Sequence, residues 1–323
     1  YAREMGAAGI IEFNPTASVT GRAEPKEFLN LSPAENNQNI GRIRARYTLP
    51  GKTFQEEFIR ITISSRAANE ILEGSGIILE DYLKKADSNQ PYDLPPLTGK
   101  SVYFKSSATA EQLNVRNIVG IIEGNDPEKF IVIGAHYDHM GMKDGLIWNG
   151  ADDNASGTVG VMTLARAINA TGVKPDKSII IALWSSEEQG LLGSRYFVRN
   201  SPFNLKNIIL NVNFDMISRH ISDENKNGVT MTYTTSLTGL KEVTMSNLNK
   251  YGIDLEVNYQ PSDDPPGGSD HRSFVEAGIP VMRFKPGHRE EYHTPYDEAQ
   301  TVNWDIMEKI IKISFVNIWE LAN

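Results

Sequence analysis

Residues 179–194 read IIIALWSSEEQGLLGS. An apolar run closed by Trp184 breaks into two serines, two adjacent glutamates and a glycine-bounded stretch. Such a run, bounded by turn residues, is the pattern of a strand buried on both faces. Glu187 and Glu188, side by side at its carboxyl end, carry a repulsion and desolvation cost that cations or protons must offset. An exposed helix start is the plain alternative for the pair. Adjacent side chains leave a turning backbone in different directions, so one carboxylate is available to a metal while the other faces a substrate.

Working outward, further apolar strand candidates lie at residues 118–123, 130–136, 178–184, 207–214 and 280–284. Helical stretches separate them. Residues 155–168 place Val161, Leu164, Ala165 and Ile168 on one helical face, and residues 303–321 do the same with Met307, Ile310, Ile311 and Ile318. Buried strands joined by crossover helices predict an α/β fold, a mixed, largely parallel central sheet flanked by helices on both sides. Sheets of this kind carry their sites at the carboxyl ends of the strands. No internal repeat is evident.

Toward the amino terminus the pattern changes. Residues 87–99, DSNQPYDLPPLTG, hold three prolines and almost no apolar periodicity, and read as a linker. Before it, GAAGIIEFN (6–14), IGRIRARYTLPG (40–51) and QEEFIRITIS (55–64) alternate apolar and polar residues, and RAANEILE (66–73) reads as a short helix ending at Gly74. Residues 1–92 are therefore expected to form a smaller β-rich α+β module, and residues 93–323 the main domain.

Composition narrows the function. A chain of 323 residues accommodates one or two domains. Lys and Arg total 32 against 41 Asp and Glu, a net charge of −9 that argues against a general nucleic-acid partner. No window approaches the roughly 20 apolar residues that span a bilayer. The chain has no cysteine, which removes disulfides, thiolate zinc sites and cysteine nucleophiles together. That fits the cytoplasm and equally a disulfide-free periplasmic protein. The opening YAREMGAAGIIEFNP lacks a signal-peptide pattern and starts with an element in progress, so a longer parent protein is expected.

Several polar residues sit where the apolar runs end. In IVIGAHYDHMG, His136 and Asp138 follow a buried-strand run, and a carboxylate near a metal-binding imidazole fixes its tautomer. In WNGADDNASG, Asp152, Asp153 and Asn154 stand between glycines ahead of a helix. Asp215 closes ILNVNFDMIS, and His293 lies in EEYHTPYDEAQ before the final helix. Each alone has an ordinary reading as a surface pattern, a helix cap or a structural residue. Together His136, Asp153, Glu188, Asp215 and His293 make a nitrogen and oxygen donor set without sulfur, compatible with two zinc ions.

The ordered set of HxD, GADDNASG, SSEEQGLLGS, NFDM and YHTPYD resembles the co-catalytic dizinc aminopeptidases, across residues 97–323. That family also contains glutamate carboxypeptidases and the catalytically silent transferrin receptor ectodomain. The resemblance implies a zinc exopeptidase with a phosphorylase/hydrolase-like α/β fold, acting on peptide substrates. It implies that His136 and Asp215 hold one zinc ion and Glu188 and His293 the other, with Asp153 bridging and followed by a cis peptide. Glu187 would be the general base, Asp138 the partner of His136, and Tyr292 a donor to the developing oxyanion. GAAGIIEFN is similar to part of a protease-associated domain, so residues 1–92 would be a partial copy of that module, and relatives carrying it favour a periplasmic or extracellular location.

Two competing functions follow from the same residues. Arg272, Arg283, Lys285 and Arg289 near His293 leave a carboxypeptidase or dipeptidase open, because such enzymes need cations for a free carboxylate. A receptor-like binding protein is the other, although decay of a peptidase site normally erases the donors that are intact here.

Overall fold

The computed structural model describes residues 2–13, 47–49, 59–63, 65–87, 97, 99–103, 111–143, 145–220 and 222–323. The chain divides into two units, Tyr1–Arg44 with Pro50–Gln112, and Ala45–Leu49 with Leu113–Asn323. In the first, β1 (Gly9–Phe13) and β2 (Ile59–Ile63) pair in parallel, Gly9 opposite Ile59 through Phe13 opposite Ile63. Two helices follow, α1 (Ser65–Leu72) and α2 (Leu79–Asp87). Between them Gly74 and Gly76 take φ values of 74° and 80°, open to residues without a Cβ, so the predicted helix stop at Gly74 is found. The strand expected over residues 40–51 and the linker at 87–99 fall largely outside the described residues.

The second unit is built on one seven-stranded sheet. Its strands are β3 (Ile118–Ile122), β4 (Asp126–His136), β7 (Lys177–Trp184), β8 (Ile208–Asn213), β9 (Gly228–Thr234), β10 (Glu256–Ser262) and β11 (Val281–Lys285), after a small hairpin of β5 (Gly141–Lys143) and β6 (Leu146–Trp148). The order across the sheet is β10-β9-β11-β8-β4-β7-β3. Strands β7, β4, β8 and β11 run parallel, while β3 is antiparallel to β7 and β9 is antiparallel to β11. The expected mixed, largely parallel sheet is present.

Alternation along the buried strands decides where the helices lie. Ile131, Ile133 and Ala135 face one apolar cluster, and Phe130 and Val132 the other. The first cluster is filled by Val161, Leu164 and Ile168 of α3 (Gly157–Ala170), Leu240 of α5 (Leu240–Tyr251) and Ile306, Ile310, Ile313 and Ile318 of α7 (Trp304–Ala322). The second takes Phe197 of α4 (Leu192–Arg199) and Phe274 of α6 (His271–Val275). Chain direction explains the split. From β4 the chain crosses through α3 to β7 on one side, and from β7 it crosses through α4 back past β4 to β8. Two right-handed crossovers travelling in opposite directions must use opposite faces. The sequence order therefore reverses around β4, and a crevice opens at the carboxyl ends there.

Sequence reasoning misses β9 and β10. GVTMTYT mixes threonine with its apolar residues, and EVNYQPS is an outer strand that carries Pro261, which an edge position tolerates. It also reads β3 as buried, whereas β3 lies at the sheet's other edge with Ile118, Val119 and Ile121 exposed.

Gly134 in β4 marks a tight approach. A Cβ there would lie 2.5 Å from Trp184 Nε1, and Trp184 is fully buried against Phe197 and Phe274 at ring-centroid distances of 5.0 and 5.9 Å. Gly134→Ala is expected to lose about 1–3 kcal/mol of stability by overpacking. A lower urea midpoint checks this; an unchanged midpoint would mean that the indole yields freely.

Candidate metal centre

The carboxyl ends of the parallel strands bring the predicted donors together. His136 is the last residue of β4, Glu187 and Glu188 follow β7, Asp215 follows β8, and His293 comes from the loop after β11. Asp153 lies in the segment Ala151–Ser156 that leads into α3, where its own backbone and that of Asn154 are not helical. The peptide bond from Asp153 to Asn154 is cis, as the resemblance implies. Glycine-free left-handed backbone concentrates at the same loops: Ser186, Met216 and His293 have φ of 57°, 60° and 53°. Such residues are uncommon outside glycine and gather at functional sites.

His136 Nε2 lies 3.3 Å from Asp153 Oδ1 and 3.7 Å from Asp215 Oδ1. His293 Nε2 lies 2.8 Å from Asp153 Oδ2 and 3.2 Å from Glu188 Oε1. Asp153 thus turns one oxygen to each imidazole. These separations bracket the roughly 3.4 Å edge of a tetrahedron of ligands with bonds of about 2.1 Å to a central zinc ion. His136 Nε2 is buried and has no hydrogen-bond partner among the described residues. The donor chemistry, the spacing and the orphaned ring nitrogen all fit a bound zinc.

The electrostatics point the same way. Burial lowers the His136 pKa, but Asp153 and Asp215 beside it outweigh that and hold it well above the ordinary imidazole value. Burial likewise opposes the His293 proton, yet Asp153 and Glu188 raise that imidazole to about 9. Burial works to raise Asp153, Asp215 and Glu188, and the neighbouring imidazoles hold all three below the usual carboxylate range. A group of buried carboxylates with this demand for positive charge suits a divalent cation. Glu187 is the exception: burial, aided by Asp215, Asp270 and Glu188, pushes it up to about 9 despite His136.

Asp138 plays a different part from the one expected. His136 Nδ1 meets the backbone carbonyl of Asp138 at 3.0 Å, while the Asp138 carboxylate is 3.9 Å away. A carbonyl only accepts, so Nδ1 donates to it, which leaves Nε2, on the side of Asp153 and Asp215, as the nitrogen available to a metal. The carboxylate accepts instead from the backbone N–H groups of Glu187 and Glu188, at 3.0 and 3.2 Å. One residue therefore sets the tautomer of His136 with its main chain and the turn of both glutamates with its side chain.

Tyr292 stacks on His293, ring centroids 3.8 Å apart, and meets His288 edge-on at 4.9 Å. Burial, then the charges of Asp153 and Glu188, push its phenol above the ordinary value, so the hydroxyl keeps its proton. Two of the four cations considered for a carboxylate pocket are ion-paired, while Arg283 Nε is buried without a hydrogen-bond partner among the described residues. Arg272 pairs with Asp264 at 2.6 Å and Glu276 at 3.2 Å, and Arg289 with Asp223 at 3.5 Å. Lys285 helps hold Asp215 low.

Sequence reasoning misses the residues beneath this arrangement. Asp297 is buried and its carboxylate accepts from the N–H groups of Asp152 (2.9 Å) and Asp153 (3.0 Å) and from Arg219 Nη2 (2.8 Å). Arg219 also donates to the Thr301 carbonyl. Asp152 Oδ1 accepts from the Ser218 N–H at 2.9 Å and hydroxyl at 2.7 Å, and burial raises its pKa to about 6 against those bonds. Asn154 ties the same turn to the Asp215 loop, donating to the Phe214 carbonyl at 2.9 Å and accepting from Met216 N–H at 3.2 Å. Asp297 follows YHTP closely enough to read as part of the His293 motif, but nothing in its spacing reveals burial. His139 is missed too; its Nδ1 lies 3.0 Å from Glu188 Oε1.

Removing Asp297 takes from the buried Arg219 guanidinium its nearest carboxylate, with Asp152 left at 3.9 Å, and from two backbone donors their acceptor. Asp297→Ala is expected to cost about 3–5 kcal/mol, the range for breaking a buried ion pair on one side, and to lower zinc retention. Chemical denaturation and metal analysis check both; a variant as stable as the parent would remove Asp297 from this role.

Comparisons with known proteins agree with this geometry. The profile of peptidase family M28 matches residues 117–317. Leupeptin-inactivating enzyme 1 of Streptomyces exfoliatus is 33% identical over 171 residues, 51% of this chain and 34% of that protein. Leucine aminopeptidase 2 of Trichophyton rubrum is 31% identical over 168 residues, 51% of this chain and 32% of its own length. The solved structure of a zinc aminopeptidase from Bacillus subtilis superposes with a TM-score of 0.53 at 28% identity, covering 64% of this chain and 50% of that one. The match thus spans about a third of these curated relatives. With the family profile matched across the strands, loops and donors described above, the chain belongs to peptidase family M28.

Proposed function

We propose that the protein is a zinc aminopeptidase that removes residues from the amino ends of peptides, using two zinc ions. The observation that carries this reading is Asp153, whose two oxygens face His136 with Asp215 on one side and His293 with Glu188 on the other. Zinc bound there supplies a Lewis acid for the scissile carbonyl and lowers the pKa of a bound water. Glu187 takes the proton from the attacking water on its carboxylate and returns it to the leaving amine. Its burial favours holding that proton between the two steps. Asp138 fixes the backbone from which Glu187 projects. The Tyr292 hydroxyl, kept protonated and steadied by the His293 ring, donates to the oxyanion.

Engagement of Arg272 and Arg289 by nearby carboxylates favours recognition of an amino terminus over a free carboxylate. The names of the Trichophyton rubrum and Bacillus subtilis relatives, both aminopeptidases, support the same reading. In this reading residues 1–92 are part of a protease-associated module, and the protein works in the periplasm or outside the cell.

The full chain is expected to hydrolyse leucine p-nitroanilide and to leave acetyl-leucine p-nitroanilide and carboxyl-terminal substrates intact. Cleavage of the blocked substrate at a comparable rate would reject exopeptidase action from the amino end. Glu187→Gln is expected to keep its zinc while turnover falls by about 10²–10⁴-fold. If that variant retained near-parental turnover, the proton would have to travel by another group.

A further inference from the structure

His139 lies in the loop after β4 and enters none of the roles above. Its side chain is only 8% exposed, and neither ring nitrogen has a hydrogen-bond partner among the described residues. Nδ1 is 3.0 Å from Glu188 Oε1 and 4.0 Å from Asp153 Oδ2, and the ring sits 5.8 Å from that of His293. Donor atoms of His139, Asp153 and Glu188 all lie within 4.8 Å of one another, as do those of His136, Asp153 and Asp215. The chain makes room for this ring. Gly150 has φ of 65°, and a Cβ there would lie 2.5 Å from His139 Cγ and 2.7 Å from Cδ2.

Two roles compete for such a side chain. As a hydrogen-bond partner of Glu188 it would need a ring N–H aimed at that carboxylate, and neither ring nitrogen has an aligned acceptor among the described residues. The 3.0 Å approach to Glu188 also lacks hydrogen-bond alignment. As a metal ligand it needs no such alignment, and the 3.0 Å approach to Glu188 is ligand-to-ligand spacing. We propose that His139 Nδ1 is a ligand of the zinc ion held by Asp153, Glu188 and His293, an inference that rests on the two-zinc reading. The two metal positions are then unequal. His139, Asp153, Glu188 and His293 would then supply four donors at one position, and His136, Asp153 and Asp215 three at the other.

Metal binding tests this without reference to turnover. The full chain is titrated with zinc against a competing chelator, alongside His139→Ala, His139→Gln and, as a control, His220→Ala, with circular dichroism to confirm folding. His139→Ala and His139→Gln are expected to bind the second ion more than about a hundredfold more weakly, beyond the 10–100-fold that loss of an outer-shell partner costs. His220→Ala should match the parent. A second measurement avoids the site's own variants: in His136→Ala, which isolates the His293 position, zinc X-ray absorption should show two imidazoles per ion. One imidazole per ion, or folded His139 variants that hold both ions as tightly as the parent, overturns the proposal. A parent chain that binds no zinc overturns the two-zinc reading itself, and His139 falls with it.

Discussion

Asp153 divides its two carboxylate oxygens between imidazoles from opposite ends of the second unit, Oδ1 toward His136 and Oδ2 toward His293. The surrounding structure depends on keeping that one carboxylate in a buried place where both can reach it. Burial alone would protonate it; instead the two imidazoles hold it charged. The same opposition runs through Asp215 and Glu188. Glu187, one residue from Glu188, goes the other way: burial raises it, and Asp215, Asp270 and Glu188 add to that against His136 alone. A single backbone step therefore separates a carboxylate suited to binding a cation from one suited to moving a proton.

Holding this arrangement falls to residues that contribute nothing to its surface. Asp297 gathers the N–H groups of Asp152 and Asp153, and Ser218 and Asn154 join that turn to the loop after β8. The anchoring groups are buried and hydrogen-bonded, so the donors above them inherit a fixed geometry at little further entropic cost. Left-handed backbone at Ser186, Met216 and His293 serves the same end: the chain must reverse sharply just where a donor has to point into the crevice.

Much of this was legible from residues alone. Strands β4, β7, β8 and β11 announce themselves because both faces of each are covered, which demands unbroken apolar runs. The donors are legible for the complementary reason: a charged residue at the end of such a run is too costly to be incidental. Strands β9 and β10 were not, since threonine-rich and edge strands have no such demand on them. Asp138 is legible as the partner of His136, but a sequence does not say whether a main-chain or side-chain oxygen will meet the imidazole. Asp297 and His139 were invisible as participants, because their roles arise from burial produced by segments far away in the chain.

His136, Asp153, Glu188, Asp215 and His293 come from strand ends and loops spread between residues 136 and 293, each separated from the next by at least one helix or strand. Bringing them together has a loop-closure entropy that the unfolded chain never meets. A cation that binds only the assembled set acts as a crosslink among these distant segments, and its binding free energy becomes folding free energy. Free zinc in the surroundings is therefore coupled to unfolding by mass action, and the melting temperature of the second unit becomes a readout of metal supply.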